Sequence, residues 1–274
     1  MGVALGNQNL YHIRGHTGLV VRHRLAVEAK GRLGEIRLNN PPLNVIDVEM
    51  MEQVASVLAE FEDRREISII VLAGLDQAFS VGVDVAAHTP DKVGEMLAKF
   101  HAVIRAVVVS RKVTVAAVRG HCLGGGAELA MVCDLVYTTQ EANWGFPEIV
   151  LGCFPPVAAA VLAALAGQKK AAELILTGGS ITGAEAARLG LANRAVPDRQ
   201  LDSVVSETAN QISALSPQVL SITKKAFYGW DAMHFDKGLA RAEKIYLEEL
   251  VKTEDMREGV NAFLEKRKAL WRTT

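Results

Sequence analysis

Aromatic side chains are scarce in this chain: Phe, Trp and Tyr together make up 5% of its 274 residues. Stacking platforms for nucleic-acid bases therefore have little to be built from, and no stretch interleaves aromatic with basic residues. A charge surplus is missing too. Lys and Arg number 30 against 31 Asp and Glu, a formal net charge of −1, so nothing draws the whole molecule towards nucleic acid or an anionic membrane. The basic clusters Lys169-Lys170, Lys224-Lys225 and Lys266-Arg267-Lys268 read as solvated helix faces. Cysteine is rare. Cys122, Cys133 and Cys153 form no Cys-x-x-Cys pair, which argues against a disulfide framework and for a reduced, cytoplasmic protein. The longest apolar run, Phe154 to Gly167, contains two prolines and is shorter than the roughly 20 residues a bilayer demands.

Several catalytic signatures are also missing. Ser80 has Ala78 where the first glycine of a Gly-x-Ser-x-Gly elbow belongs. No glycine run is followed by the Lys-Ser/Thr of a phosphate-binding loop, and none has dinucleotide spacing. His12 and His16 stand four apart, but Gly15 lies between them and no carboxylate is near, so an unstructured leader is expected over residues 1–19 and no metal site. The first 27 residues hold no acid and three arginines, as a presequence would, yet Val20 to Val27 already reads as a strand.

What is present is alternation. Residues 20–28 and 33–38 read as strands, and Asp47 caps a helix carrying Met50, Met51, Val54, Val57, Leu58 and Phe61 on one side. Ile67 to Leu72 is a continuous apolar strand, followed by a loop from Asp76 to Asp84 and a helix with Met96, Phe100, Val103, Ile104 and Val107 inward. Val113 to Val118 and Leu135 to Thr138 add strands, which indicates an α/β core. From about residue 155 the pattern is almost only helix. Thr182 to Glu185 fits a capping box, and Ser216-Pro217 a capped start. Helices are expected near 198–213, 217–229, 235–251 and 254–270, with a stripe of Ile245, Leu247, Leu250 and Val251. The domain reading is a leader (1–19), a core (20–197) and a helical oligomerisation region (198–274).

The densest information lies in Gly120-His121-Cys122-Leu123-Gly124-Gly125-Gly126-Ala127-Glu128. A buried strand runs into a triple-glycine turn and then into a helix, so backbone N–H groups face open space with no side chains in the way. Such amides hold an anion or an oxyanion. Glu128, one turn into the helix, stands beside whatever they hold, which suggests acid–base work on a carbonyl compound. His121, Asp134, Cys122 and Cys153 flank the region and read as core residues.

From about residue 22 onward the chain resembles the crotonase superfamily, the enoyl-CoA hydratase/isomerase family. The resemblance rests on Ala78-Phe79-Ser80-Val81-Gly82-Val83-Asp84, on Gly120 to Asp134, on Trp144-Gly145-Phe146-Pro147-Glu148-Ile149, and on Gly259 to Arg267. It implies a spiral of strand–strand–helix turns with a C-terminal helical trimerisation region. It implies that the amides of Val83 and Gly125 grip the thioester oxygen of an acyl-CoA, and that Glu128 and Glu148 are the acid–base pair. Val81, Asp84 and Gly124 would line the substrate pocket, and Lys266 would reach a CoA phosphate in a neighbouring subunit. Coenzyme A is then part of the substrate; no separate cofactor or metal is implied, and the partners are the acyl-CoA and two further copies, or a dimer of trimers.

After Glu148 the chain departs from the common Pro-Gly-x-Gly-Gly pattern and reads Phe154-Pro155-Pro156-Val157. Trp144, Phe146, Phe154 and Pro155 would form a rigid wall suited to a carbocyclic acyl group, or would merely repack a turn that lost its glycines. The variant resembles the cyclohexa-1,5-diene-1-carbonyl-CoA hydratases, which implies 1,4-addition of water to a ring diene. The alternatives are a general 2-enoyl-CoA hydratase or isomerase, and a non-catalytic RNA-binding or assembly module.

Overall fold

The computed structural model describes residues 20–228 and 231–271. The expected leader, with His12 and His16, lies outside the described residues. The chain opens as an antiparallel meander, β1 (Val20–Arg22), β2 (Leu25–Lys30) and β3 (Leu33–Leu38). Helix α1 (Val48–Asp63) follows; the Asp47 carboxylate accepts from the Met50 N–H at 2.8 Å, and the six expected apolar residues are buried.

Three turns of strand, strand and helix come next. They are β4 (Ile69–Ala73), β5 (Ala78–Ser80) and α2 (Val93–Val109); β6 (Val113–Val118), β7 (His121–Leu123) and α3 (Gly125–Met131); then β8 (Leu135–Thr139), β9 (Asn143–Gly145) and α4 (Pro156–Ala166). Each turn gives its first strand to a seven-stranded sheet, ordered β1-β2-β3-β4-β6-β8 with β11 (Arg194–Val196) at the edge. Each gives its second strand to a four-stranded sheet, ordered β10-β9-β7-β5, where β10 is Ser180–Thr182. Within both sheets the strands of successive turns run parallel. That is the spiral of strand–strand–helix turns, and the main core lies inside it.

The short strands β5, β7 and β9 are only three residues each, too brief for periodicity to reveal, and β10 and β11 interrupt the stretch read as almost only helix. Helix α5 (Gln168–Thr177) precedes β10. Helix α6 (Gly183–Leu189) follows it, with its first turn capped by the Thr182 hydroxyl accepting from the Glu185 N–H.

The C-terminal helices are α7 (Leu201–Ser213), α8 (Pro217–Tyr228), α9 (Asp231–Glu248) and α10 (Glu254–Leu264). Helix α7 is covered by the large sheet. Its Leu201, Val204, Val205 and Ala209 pack beneath Ile69, Val71 and Val115 of the large sheet. Helix α8 is tied to the same sheet by Lys224, whose ammonium donates to Asp134 Oδ2 at 2.6 Å and to the Lys112 carbonyl at 2.8 Å. Asp134 also accepts from the N–H and hydroxyl of Thr114, so its reading as a core hydrogen-bonding residue holds. Helix α9 lies across α4 and α2. Its buried stripe is Phe235, Leu239, Ala242 and Tyr246; of the expected one, Leu247 is exposed and Ile245 half-buried, while Leu250 and Val251, just beyond the helix, pack against the main core. Helix α10 stops six residues before the expected end because Lys266 adopts a left-handed φ of 54° and the Arg267 N–H turns back to the Ala262 carbonyl.

Candidate active site

Between β7 and α3 the backbone passes through Gly124 at φ 52°, a conformation that favours glycine. A second constraint acts there. A Cβ on Gly124 would stand 2.7 Å from Glu148 Oε1, so the glycine makes room for that carboxylate. Next comes Gly125, first residue of α3, whose N–H has no carbonyl inside the helix to bond.

Across from it runs the segment Val81 to Asp84. Ile46 pairs with both neighbours of Val83: its N–H donates to the Gly82 carbonyl at 2.9 Å and its carbonyl accepts from Asp84 at 3.1 Å. The N–H of Val83 is left over. Among the described residues neither the Val83 nor the Gly125 N–H has an acceptor. The two are close, since a Cβ on Gly125 would lie 3.4 Å from Val83 N and one on Gly82 would lie 3.2 Å from Gly125 N. Paired free donors of this kind can hold an oxygen that gains negative charge.

Glu128 is 2% exposed, and its Oε1 accepts from the Ala158 N–H at 2.9 Å. Ala158 belongs to the first turn of α4, which starts at Pro156 directly after Pro155. The prolines thus pre-set the helix start whose free amides hold the carboxylate. Burial still outweighs those amides and raises the Glu128 pKa to about 7. Glu148 sits in a 3₁₀ turn, Pro147–Leu151, and its Oε2 is shut off from water with no hydrogen-bond partner among the described residues. Burial first, and the charge of Glu128 second, push its pKa well above the usual carboxylate range. Two carboxyls in one dry site cannot both ionise easily, so they titrate as a pair. Glu148, with no donor on Oε2, is the member that keeps the proton.

Both glutamates, Gly124, Gly125, Val81, Val83 and Phe154 line one cavity of about 70 Å³. Other sequence-selected residues do not. Trp144 and Phe146 are 1% exposed and face the core, away from the cavity wall; the Trp144 indole N–H donates to Thr138 Oγ1 at 3.0 Å. An indole buried with a matched partner is a packing residue. Pro156, not Pro155, is the proline on the cavity. Asp84 is spent on capping the 3₁₀ turn Val85–His88, accepting from the Ala86 N–H at 3.0 Å. Lys266 is exposed and does not line this cavity. Cys122 and Cys153 are buried, whereas His121 is exposed and its ring lies 3.3 Å from the Asn143 amide.

Two polar lining residues escaped the sequence reading. His88 bonds the Asp84 carbonyl through Nδ1 at 3.0 Å, and burial lowers its pKa, which favours the neutral ring. Tyr246 arrives from α9, more than 90 residues beyond Glu148. It follows Leu239 and Ala242 at i, i+3, i+7, a spacing that signals a core stripe and nothing of a site.

The profile of the family described as enoyl-CoA hydratase/isomerase matches residues 28–274. The chain belongs to that family. A relative from Rhizobium meliloti, described as a probable enoyl-CoA hydratase, is 39% identical over 89% of this chain and 96% of its own length. A cyclohexa-1,5-dienecarbonyl-CoA hydratase from Thauera aromatica is 34% identical over 89% of this chain and 95% of its own. The fold is shared with an enoyl-CoA hydratase from Mycobacterium avium subsp. paratuberculosis, at a TM-score of 0.82, 23% identity, and coverage of 91% of this chain and 99% of that one. The protein is thus an enzyme of the enoyl-CoA hydratase type, a hydro-lyase acting on an acyl-CoA thioester. Among the described residues no helix is long and apolar enough to cross a membrane.

Proposed function

We propose that this protein adds water to the conjugated double bond of an acyl-CoA, with the amides of Val83 and Gly125 on the thioester oxygen and Glu128 and Glu148 as the acid–base pair. The observation that carries the reading is the pair of unbonded N–H groups on a cavity that two buried carboxyls also line. Donors aimed at the thioester oxygen draw π electrons towards it, and losing one such donor costs on the order of 3 kcal/mol of transition-state stabilisation. Glu128, poised near neutrality, takes a proton from water as the oxygen bonds to the β-carbon. Glu148, protonated, then supplies the proton to carbon as the carbonyl re-forms. Atoms balance without an oxidant or a separate cofactor, because coenzyme A is carried on the substrate. Three buried thiols suit a reducing cytoplasm.

The acyl group we assign to this site is a six-membered ring diene, hydrated by 1,4-addition. Phe154 and Tyr246 support this: their rings meet at 5.1 Å and 56° on the cavity, and they replace the wall expected from Trp144 and Phe146. A rigid aromatic corner gains contact with a planar ring whose conformational entropy is already spent. The reading agrees with the description of the Thauera aromatica relative. Loss of the conjugated chromophore, followed with cyclohexa-1,5-diene-1-carbonyl-CoA and with crotonyl-CoA, tests both levels. Activity on neither removes the hydratase assignment, and activity on crotonyl-CoA alone removes the ring.

A further inference from the structure

The Tyr246 hydroxyl and Glu148 Oε2 are both buried, both lack a partner among the described residues, and both belong to residues that line the same cavity. Tyr246 is 1% exposed, and its position is fixed from two sides. Its ring packs on Phe154. One turn earlier on the same helix, Glu243 Oε1 meets His101 Nδ1 at 2.6 Å and the Arg105 guanidinium at 3.0 Å, which locks α9 onto α2. The hydroxyl therefore stands near both glutamates, beside the Cys153 thiol, without a well-aligned bond to any of them. Burying an unpaired hydroxyl is unfavourable, and Phe would pack in this corner as well. A hydroxyl kept in such a place is accounted for by a ligand that satisfies it.

Resting on the hydratase reading, we infer that the Tyr246 hydroxyl is a third polar contact of the reaction, donating a hydrogen bond to the oxygen that water contributes and that becomes the β-hydroxyl of the product. The water proton still leaves to Glu128, and the tyrosine neither gains nor loses a proton. Its part is to hold that oxygen opposite Glu148 while the carbon–oxygen bond forms.

Tyr246→Phe tests this, because it removes the hydroxyl and keeps the ring. Calorimetry compares 3-hydroxybutyryl-CoA with butyryl-CoA, and 2-hydroxycyclohexane-1-carbonyl-CoA with cyclohexanecarbonyl-CoA. The binding is measured in a Glu128→Gln background, which blocks turnover, with and without Tyr246→Phe. The expected result is a loss of about tenfold in affinity for the hydroxylated thioesters, the size of one hydrogen bond, with the unhydroxylated ones unchanged within twofold. In the otherwise native enzyme, kcat should fall at least tenfold with KM nearly unchanged, and the melting temperature should hold or rise. Equal loss for both members of each pair, or no loss, overturns the inference, and a lowered melting temperature with unaltered affinities makes Tyr246 a packing residue. Cys153→Ala should leave the hydroxyl preference intact; if it abolishes the preference, the contact belongs to the thiol. A wild-type enzyme that hydrates no enoyl thioester refutes the proposed function, while the binding comparison still decides Tyr246.

Discussion

Glu128 Oε1 accepts a hydrogen bond from the Ala158 N–H at 2.9 Å, joining the helix after the glycine turn to the start of the helix after Pro155-Pro156. The contact gives the two prolines a chemical consequence. They fix where α4 begins and hence where its free amides point, and those amides hold a carboxylate that burial alone would keep protonated. With a pKa of about 7, Glu128 is half ionised at neutrality. The rate of hydration should rise through pH 7 on the acid side as the base form fills, and log kcat against pH checks it. A flat profile from pH 5.5 to 8.5 would contradict the role.

The same shift carries a stability cost of the opposite sign to that of a salt-bridged acid. Because the folded pKa lies above the unfolded one, the folded state holds the proton more tightly, and stability falls as pH rises from about 4.5 to about 7. The full cost, about 3 kcal/mol, persists above that window. Glu128→Gln should flatten this dependence in denaturant titrations at pH 5 and pH 8. A wild-type protein equally stable at both values, once surface groups are accounted for, argues that Glu128 titrates normally.

Glu148→Gln should abolish hydration while acyl-CoA binding stays near wild type, since the amide preserves the shape of a side chain whose Oε2 has no partner to lose. More than a tenth of wild-type turnover in this variant would remove Glu148 from the chemistry. Glu128→Gln should also lose turnover. If it loses folding as well, Glu128 serves chiefly to cap α4.

Gly124→Ala tests the packing of the turn against the acid. The added Cβ would meet Glu148 Oε1 at 2.7 Å and would also require a left-handed alanine. The carboxylate must move, so activity should drop at least a hundredfold while the far-UV spectrum stays native. Retained activity would mean that the turn can flip without disturbing Glu148.

Much of this site was legible because short-range physics governs it. A glycine run after a buried strand, an Asp cap before α1 and an apolar strand at Val113–Val118 are each decided by neighbours in sequence, and each lies where it was expected. What could not be read was decided by tertiary packing. Three-residue strands such as β7 form only because the second sheet offers them partners. Trp144, expected on the pocket wall, is core, whereas Tyr246, which the sequence did not single out, lines the cavity from a remote helix. Nothing local distinguishes a tyrosine in a buried stripe from one that also lines a cavity.

Helix α8 leaves Ile222 and Phe227 at 60% and 73% exposure, large apolar side chains with no cover among the described residues. We expect further copies to cover such surface, in a trimer or a pair of trimers. Light scattering at micromolar concentration should give three or six chain masses, and Ile222→Asp with Phe227→Asp should lower the mass. A stable monomer in the unmodified protein would count decisively against assembly.

Trp144→Phe and Phe154→Leu should separate core from specificity. Losing the indole N–H leaves Thr138 Oγ1 without its buried donor, so Trp144→Phe should cost about 1–3 kcal/mol of stability. It should leave the ratio of kcat/KM between cyclohexa-1,5-diene-1-carbonyl-CoA and crotonyl-CoA unchanged, because the ring does not reach the cavity. Phe154→Leu acts on the wall itself. It removes the edge that meets Tyr246 and should shift that ratio towards crotonyl-CoA. An apolar misfit of this size is worth roughly 1–3 kcal/mol, so the native preference for the ring should be about ten- to two-hundredfold and not absolute. Equal ratios in wild type and Phe154→Leu would mean that the aromatic corner selects nothing, and a ratio that moves only with Trp144→Phe would return the specificity to the core.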